Sequence, residues 1–168
     1  MKKLMMIAVM MLMGIGAFAQ EGKMAVGVNV GIAPSLMKEY NPVILGAKFQ
    51  YEFVENFRAE LAGNLFTKKN GYGLWDAELN FHYLFPVADG IKVYPAAGAV
   101  LMGTMIKDAD KNYTGFGFNA GAGVEYTLSN QLKFNCDVKY LGVSKKESGE
   151  KVIDASGVTI AVGIAYVF

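Results

Sequence analysis

From Met24 to the C-terminus the chain alternates large apolar residues with small or polar ones, one position at a time. A period of two places the two sets on opposite faces of an extended strand. In the first segment, Met24 to Ile32, one face carries Val26, Val28, Val30 and Ile32 and the other carries Gly27, Asn29 and Gly31. The second runs to Phe53, with Leu45, Ala47, Phe49, Tyr51 and Phe53 opposed to Lys48, Gln50 and Glu52. The third sets Phe57, Leu61 and Leu65 against Arg58, Glu60 and Asn64, and the fourth sets Trp75, Leu79, Phe81 and Phe85 against Asp76, Glu78, Asn80 and His82. Ile91 to Ile106 is apolar on both faces; pairing it back through Pro86–Gly90 predicts Lys92 and Tyr94 on the polar side. The sixth alternates Phe116, Phe118, Val124 and Tyr126 with Asn119, Gly123 and Glu125. The seventh alternates Phe134, Cys136, Val138 and Tyr140 with Lys133, Asn135, Asp137 and Lys139. The eighth ends the chain at Ile164-Ala165-Tyr166-Val167-Phe168.

The phase of this pattern decides the environment. The apolar rows recur on every segment, while the opposite rows mix charges with glycine and alanine. A soluble sandwich or lipocalin-like barrel also alternates, but it turns its greasy face inward. Lipid outside and a narrow polar interior is the arrangement of a transmembrane barrel, and lipid requires that the sheet close. The links agree with this. Val54–Asn56, Pro86–Gly90 and Ser129–Gln131 are short, and longer polar links lie around Pro34–Asn41, Thr67–Gly73, Lys107–Thr114 and Ser144–Ala155. Aromatic residues sort by height. Tyr51, Phe53, Phe57, Tyr83, Phe85, Tyr126, Phe134, Tyr166 and Phe168 fall at one rim, and Trp75, Phe116, Phe118 and Tyr140 at the other. The expected fold is an all-β, eight-stranded antiparallel up-and-down transmembrane β-barrel.

The N-terminus adds a compartment. Lys2 and Lys3 precede an unbroken apolar run from Leu4 to Met13, and Ala17-Phe18-Ala19 has the small-x-small form of a secretory cleavage site. This run is shorter than a membrane-spanning helix needs. Residues 1–19 are therefore expected to be a signal peptide and residues 20–168 the barrel domain. The chain has 16 basic and 15 acidic residues; losing Lys2 and Lys3 leaves 14 against 15, a mature charge near −1. Such a balance implies no nucleic-acid partner. The single cysteine, Cys136, allows no internal disulfide and lies on the apolar face, where it acts as a small hydrophobe.

The mature chain resembles the small eight-stranded outer-membrane barrels of the OmpA-transmembrane-domain and OmpX type, within the porin-family outer-membrane β-barrel domains. The strand number, the asymmetry of the links and the terminal Tyr166-Val167-Phe168 carry the resemblance. It implies a monomer in the outer membrane of a Gram-negative bacterium, among outer-membrane lipids and lipopolysaccharide, with both termini periplasmic. It also implies that Phe168 is an assembly signal read by the barrel assembly machinery through the last strand.

The inward charges are the candidate chemistry. Counting back through the Val54–Asn56 turn sets Glu52 against Arg58 and Gln50 against Glu60. The Ser129–Gln131 turn, with Leu128 paired to Leu132, puts Lys133 diagonal to Glu125. Cross-strand neighbours at such positions are within reach of one another. Two clusters of opposite sign, drawn from Glu52, Arg58, Glu60, Glu125, Lys133, Asp137 and Lys139, form either a static polar core or a gate whose pairs swap partners. His82, expected opposite Tyr94, is the only histidine, too few for a typical zinc site. Ser35, Ser129, Ser144, Ser148 and Ser156 fall in turns, loops or strand ends without a clear pairing to it. Gly117, Gly121 and Gly123 lie inside a strand and lack the strand–turn–helix context of a phosphate-binding loop. No catalytic, metal or cofactor site is expected. Loop lysines, among them Lys38, Lys68, Lys107 and Lys145, are either solvated charges or contacts for lipopolysaccharide phosphate, and Tyr72 and Tyr113 are expected as exposed loop aromatics. The leading functional reading is a non-enzymatic barrel supporting envelope integrity or surface interaction. The alternatives are a low-conductance channel gated by the charge pairs and, remotely, a lipid A-modifying enzyme.

Overall fold

The computed structural model describes residues 23–34, 36, 41–69, 72–106, 113–147 and 150–168, with side chains described for all of these but 68, 69, 72, 106, 146, 147 and 150–154. The predicted leader, residues 1–19, lies outside them. Among the described residues nine strands follow one another: β1 (Lys23–Ile32), β2 (Val43–Val54), β3 (Phe57–Lys69), β4 (Tyr72–Tyr83), β5 (Phe85–Ala88), β6 (Ile91–Ile106), β7 (Thr114–Ser129), β8 (Leu132–Glu147) and β9 (Glu150–Val167). Each pairs antiparallel with its neighbours, β9 returns to β1, and β4 pairs with β6. The sheet therefore closes into a barrel of eight staves, with β4 and β5 sharing one stave.

Pro95 accounts for the split stave. The β4–β6 ladder runs to His82↔Ala96, and β5–β6 resumes in the same register at Phe85↔Val93. That register would set Tyr83 opposite Pro95, which has no N–H to give. At the break Leu84 turns its amide to the carbonyl of Asn56 at 2.7 Å and buries its side chain completely against Tyr94 and Ala96.

The outer face is apolar throughout. Val28, Leu65 and Phe116 expose 55%, 55% and 69% of their surface, and every stave contributes a comparable row. A band of this extent is stable only against lipid or a partner. At the end that carries the termini, ring contacts run without interruption from Tyr51 through Phe53, Phe57 and Tyr83 to Phe85, and Tyr166 meets Phe168. At the other end Trp75 pairs with Gly103, whose missing side chain leaves room for the indole, and Phe118 meets Tyr140. Strand β6 faces as expected, with Tyr94, Ala96, Val100, Met102 and Thr104 inside and Val93, Ala97 and Leu101 outside.

Three details of register depart from the sequence-based reading. The tight turns are two residues long and end in bulges. Glu52↔Arg58 gives way to Val54↔Phe57, and Thr127↔Lys133 to Ser129↔Leu132, so Phe53 does not pair with Phe57 nor Leu128 with Leu132. Asn56 at φ 66° and Gly90 at φ 74° supply left-handed residues at two of these turns. His82 lies across from Ala96 and reaches Tyr94 only diagonally. At the opposite end, two of the four links expected to be long are extended hairpins: pairing continues to Lys69↔Tyr72 and to Glu147↔Glu150. The link at 107–112 lies outside the described residues.

Candidate functional site

The inward rows converge on one polar network through the middle of the barrel and its termini end. Arg58, projected from β3, is 1% exposed, and its Nη1 donates to Glu125 Oε2 on β7 at 2.5 Å. Lys133 on β8 approaches the same carboxylate oxygen at 3.2 Å. Arg58 Nε also donates to Nδ1 of His82 at 3.1 Å, and its guanidinium carbon lies 4.9 Å from the centre of the Tyr94 ring. Because Nδ1 accepts, the His82 ring proton sits on Nε2, which faces Glu60 at 3.9 Å. The imidazole stacks on Tyr94 with ring centres 4.9 Å apart.

Glu60 links this group to the rest. It accepts from Gln50 Nε2 at 2.6 Å and Asn80 Nδ2 at 3.2 Å, with Lys48 Nζ at 3.9 Å. Lys48 donates to Asn135 at 2.7 Å, and Asn135 and Tyr94 both donate to Asp137. Deeper, Glu78 accepts from Asn80 at 2.8 Å, Asn119 at 3.0 Å, Asn64 at 3.3 Å and Lys139. Asn64 also donates to Asp76 at 2.7 Å. Charges removed from water are tolerated when they are paired or hydrogen-bonded: Lys48, Arg58, Lys133 and Lys139 each approach a glutamate, and Asp76 and Asp137 accept hydrogen bonds.

Glycines make the room. A methyl group at Gly123 would collide with Tyr94 and Asp137, one at Gly46 with Asn64 and Asn29, and one at Gly98 with Asn80. The stretch from Gly115 to Gly123 belongs to a single strand, β7, in which Gly123 makes room for Tyr94 and Asp137 while Gly117 and Gly121 lie against the backbone of β8.

The candidate residues sort as follows. Arg58, Glu60, Glu125, Lys133, Asp137 and Lys139 all join the network. Glu52 does not, although its backbone pairs with Arg58 as the turn predicts. The two clusters expected from the sequence are one: Arg58 crosses the barrel to Glu125 instead of reaching Glu52 beside it. A guanidinium on a long side chain can span a narrow interior, and Glu52 lies at the rim, half-buried, where water solvates it. Lys48, Asp76, Glu78, Asn80 and Asn119 complete the site. Their inward parity was visible in the sequence. Asp76 meets Asn64 and Asn80 meets Glu60 as direct cross-strand neighbours, but Lys48–Asn135, Asn119–Glu78 and Lys139–Glu78 span further across the barrel than a cross-strand count reaches.

Toward the loop end the polar rows give way to buried apolar residues. Ile44, Phe66, Leu74, Val100, Met102, Leu141 and Val143 fill the lumen, with Ala33, Leu36 and Ala155. Leu36 lies in the link after β1, where its N–H bonds the Ala33 carbonyl at 3.3 Å and Ala33 N bonds the Pro42 carbonyl at 3.0 Å. Tyr113, expected as an exposed loop aromatic, packs against this cap; its N–H bonds Thr104 Oγ1 at 3.0 Å. Tyr72 falls within β4, its side chain outside the description, as are those of the loop lysines other than Lys145. Ser144 and Ser156 are exposed, and His82 is occupied by Arg58 and Tyr94.

A family model described as "Outer membrane protein beta-barrel domain" matches residues 5–168. No curated protein sequence compared with the chain matches it. Among solved structures the chain is similar to the N-terminal β-barrel domain of Pseudomonas aeruginosa OprF, at 14% identity, covering 88% of this chain and 100% of that one with a TM-score of 0.68. It is similar to Neisserial surface protein A at 12% identity, 88% and 97% coverage and a TM-score of 0.71. It is also similar to the outer membrane protein OprG from Pseudomonas aeruginosa, at 14% identity, 88% and 95% coverage and a TM-score of 0.65. At these identities the likeness is one of fold.

Proposed function

The chain belongs to the outer-membrane β-barrel domain family, and from that premise we propose that it is a sealed, non-enzymatic barrel that supports envelope integrity or surface interaction. One observation carries this reading: the lumen is filled by a cross-linked polar network at one end and an apolar cap at the other. An ion entering from the capped end would shed its water with nothing to replace it, which is the basis of hydrophobic sealing. An ion entering from the other end meets side chains already bonded to one another. An eight-stranded barrel has little further space. The network therefore acts as a static core, and exchange of partners between Glu125, Arg58 and Lys133 is not a gate.

The termini lie on the periplasmic side of a Gram-negative outer membrane, and the capped end faces outward. The protein is monomeric, contacts lipopolysaccharide at its outer rim, and is recognised by the barrel assembly machinery through Phe168. Residues 1–19 are cleaved on export, leaving 20–168 as the barrel domain. The test compares cells with and without the protein. Loss is expected to raise sensitivity to detergents and leakage of periplasmic protein, with lipid A mass spectra unchanged. A changed acyl pattern would reveal an enzyme, and an intact permeability barrier under envelope stress would count against an integrity role.

A further inference from the structure

At the termini end the barrel does not fill completely. A cavity of about 100 Å³ lies below the network, lined by residues that include Lys23, Gln50, Glu52, Lys92, Glu125 and Lys133. Arg58 also borders it, so the pocket is blind at the network. Water occupies ~30 Å³ per molecule in the liquid, so this volume admits a few waters or one small ion.

Its walls differ in chemistry. On one side Lys92 of β6 and Lys133 of β8 flank Glu125, and Lys92 is Glu125's direct cross-strand neighbour. Arg58 and Lys133 already share that carboxylate, and Lys92 makes no ion pair among the described residues. Three cations around one carboxylate leave positive charge unneutralised there. On the opposite wall β2 contributes acceptors. Gln50 is 2% exposed, and its Oε1 has no donor among the described residues because its amide nitrogen is committed to Glu60. Glu52 is likewise without an ion pair among the described residues. The pocket thus offers charged donors on one wall and, next to Lys23, the acceptors Gln50 Oε1 and Glu52 on the other.

We propose that this pocket binds a protonated oxyanion, hydrogen phosphate. Lys92 and Lys133 hold its charged oxygens, and Gln50 Oε1 and Glu52 accept from its P–OH. Sulfate has the same shape but no proton to give near neutral pH, so it leaves the acceptors unfilled and faces Glu52 as a like charge. An unfilled buried acceptor and a repulsive contact both count against the wrong ligand. The site shares Arg58, Glu125 and Lys133 with the network, but it does not rest on the sealed reading, because binding at this face of the network does not require a closed lumen.

The experiment is a titration of the refolded barrel in phosphate-free maltoside micelles, following backbone amide resonances near Thr127, Asn130 and Lys133. Sodium phosphate is expected to give saturable shifts, and sodium sulfate at matched ionic strength much smaller ones. Lys92→Gln, at a half-buried position that no ion pair among the described residues fixes, should keep heat-modifiable migration and weaken phosphate about ten-fold, the loss of one charge-assisted hydrogen bond. Glu52→Gln should narrow the preference for phosphate over sulfate. Shifts that merely follow ionic strength, equal binding of sulfate to the wild type, or unchanged affinity in Lys92→Gln would each overturn the proposal.

Discussion

Arg58 is the residue whose removal the structure makes most costly. It binds Glu125, His82 and the face of Tyr94 at once, and it is fully buried. Arg58→Ala leaves Glu125 with Lys133 alone and is expected to lower unfolding stability in lipid vesicles by about 3–5 kcal/mol, the usual cost of breaking a buried pair. Replacing Glu125 by Gln in the same chain should recover part of that loss. Glu52→Gln should change stability by less than about 1 kcal/mol, as expected for a solvated rim charge. Urea titration of the three variants decides the matter, and a Glu52→Gln loss as large as that of Arg58→Ala would put the pair back where the sequence suggested it. The error in that suggestion is instructive. Inward facing is local and legible, because parity alone places Arg58, Glu60 and Glu125. Partner choice is legible only in part: Gln50–Glu60 and Lys133–Glu125 follow from the register, but Arg58 meets Glu125 across the barrel, beyond its cross-strand neighbours. Gly123 was legible in kind, as a residue making space, but not in identity: only closure brings Tyr94 and Asp137 against it. Gly123→Ala should cost about 1–3 kcal/mol by overpacking, measured by the same titration.

Among the elements, the strands and their outer faces could be read directly, since lipid imposes a strict period of two on each. The ninth strand was overlooked although its cause is in the sequence. Pro95 stands where the β4–β6 register requires a donor, and a proline there interrupts the ladder. Pro95→Ala restores an N–H, and the new amide is expected to be protected from hydrogen exchange as β4 and β5 fuse. Exchange at the rate of an unpaired amide would show that the break has another origin. Turn chemistry is equally local. Gly90 sits at φ 74°, so Gly90→Ala should destabilise by about 1–2 kcal/mol without moving the register. Link lengths were less legible because polar composition does not distinguish a loop from a hairpin extended beyond the lipid, as in β8 and β9.

For the molecule as a whole, closure turns eight amphipathic staves into a lumen whose two ends differ. The apolar cap escaped the sequence-based reading because Ile44, Phe66, Leu74, Met102, Leu141 and Val143 are scattered over five strands and look like lapses in alternation when each is read alone. Assembled, they form a single layer above the polar network. The barrel is expected to migrate heat-modifiably on gels, and deletion of Phe168 to slow its assembly while leaving the folded barrel's stability little changed. The most direct test of the central claim is current recording across a planar lipid bilayer containing the refolded protein. A sealed lumen predicts baseline current with no discrete steps over a range of voltages. Reproducible unitary openings from the wild-type barrel would contradict it and would mean that the network and its cap part to let ions through.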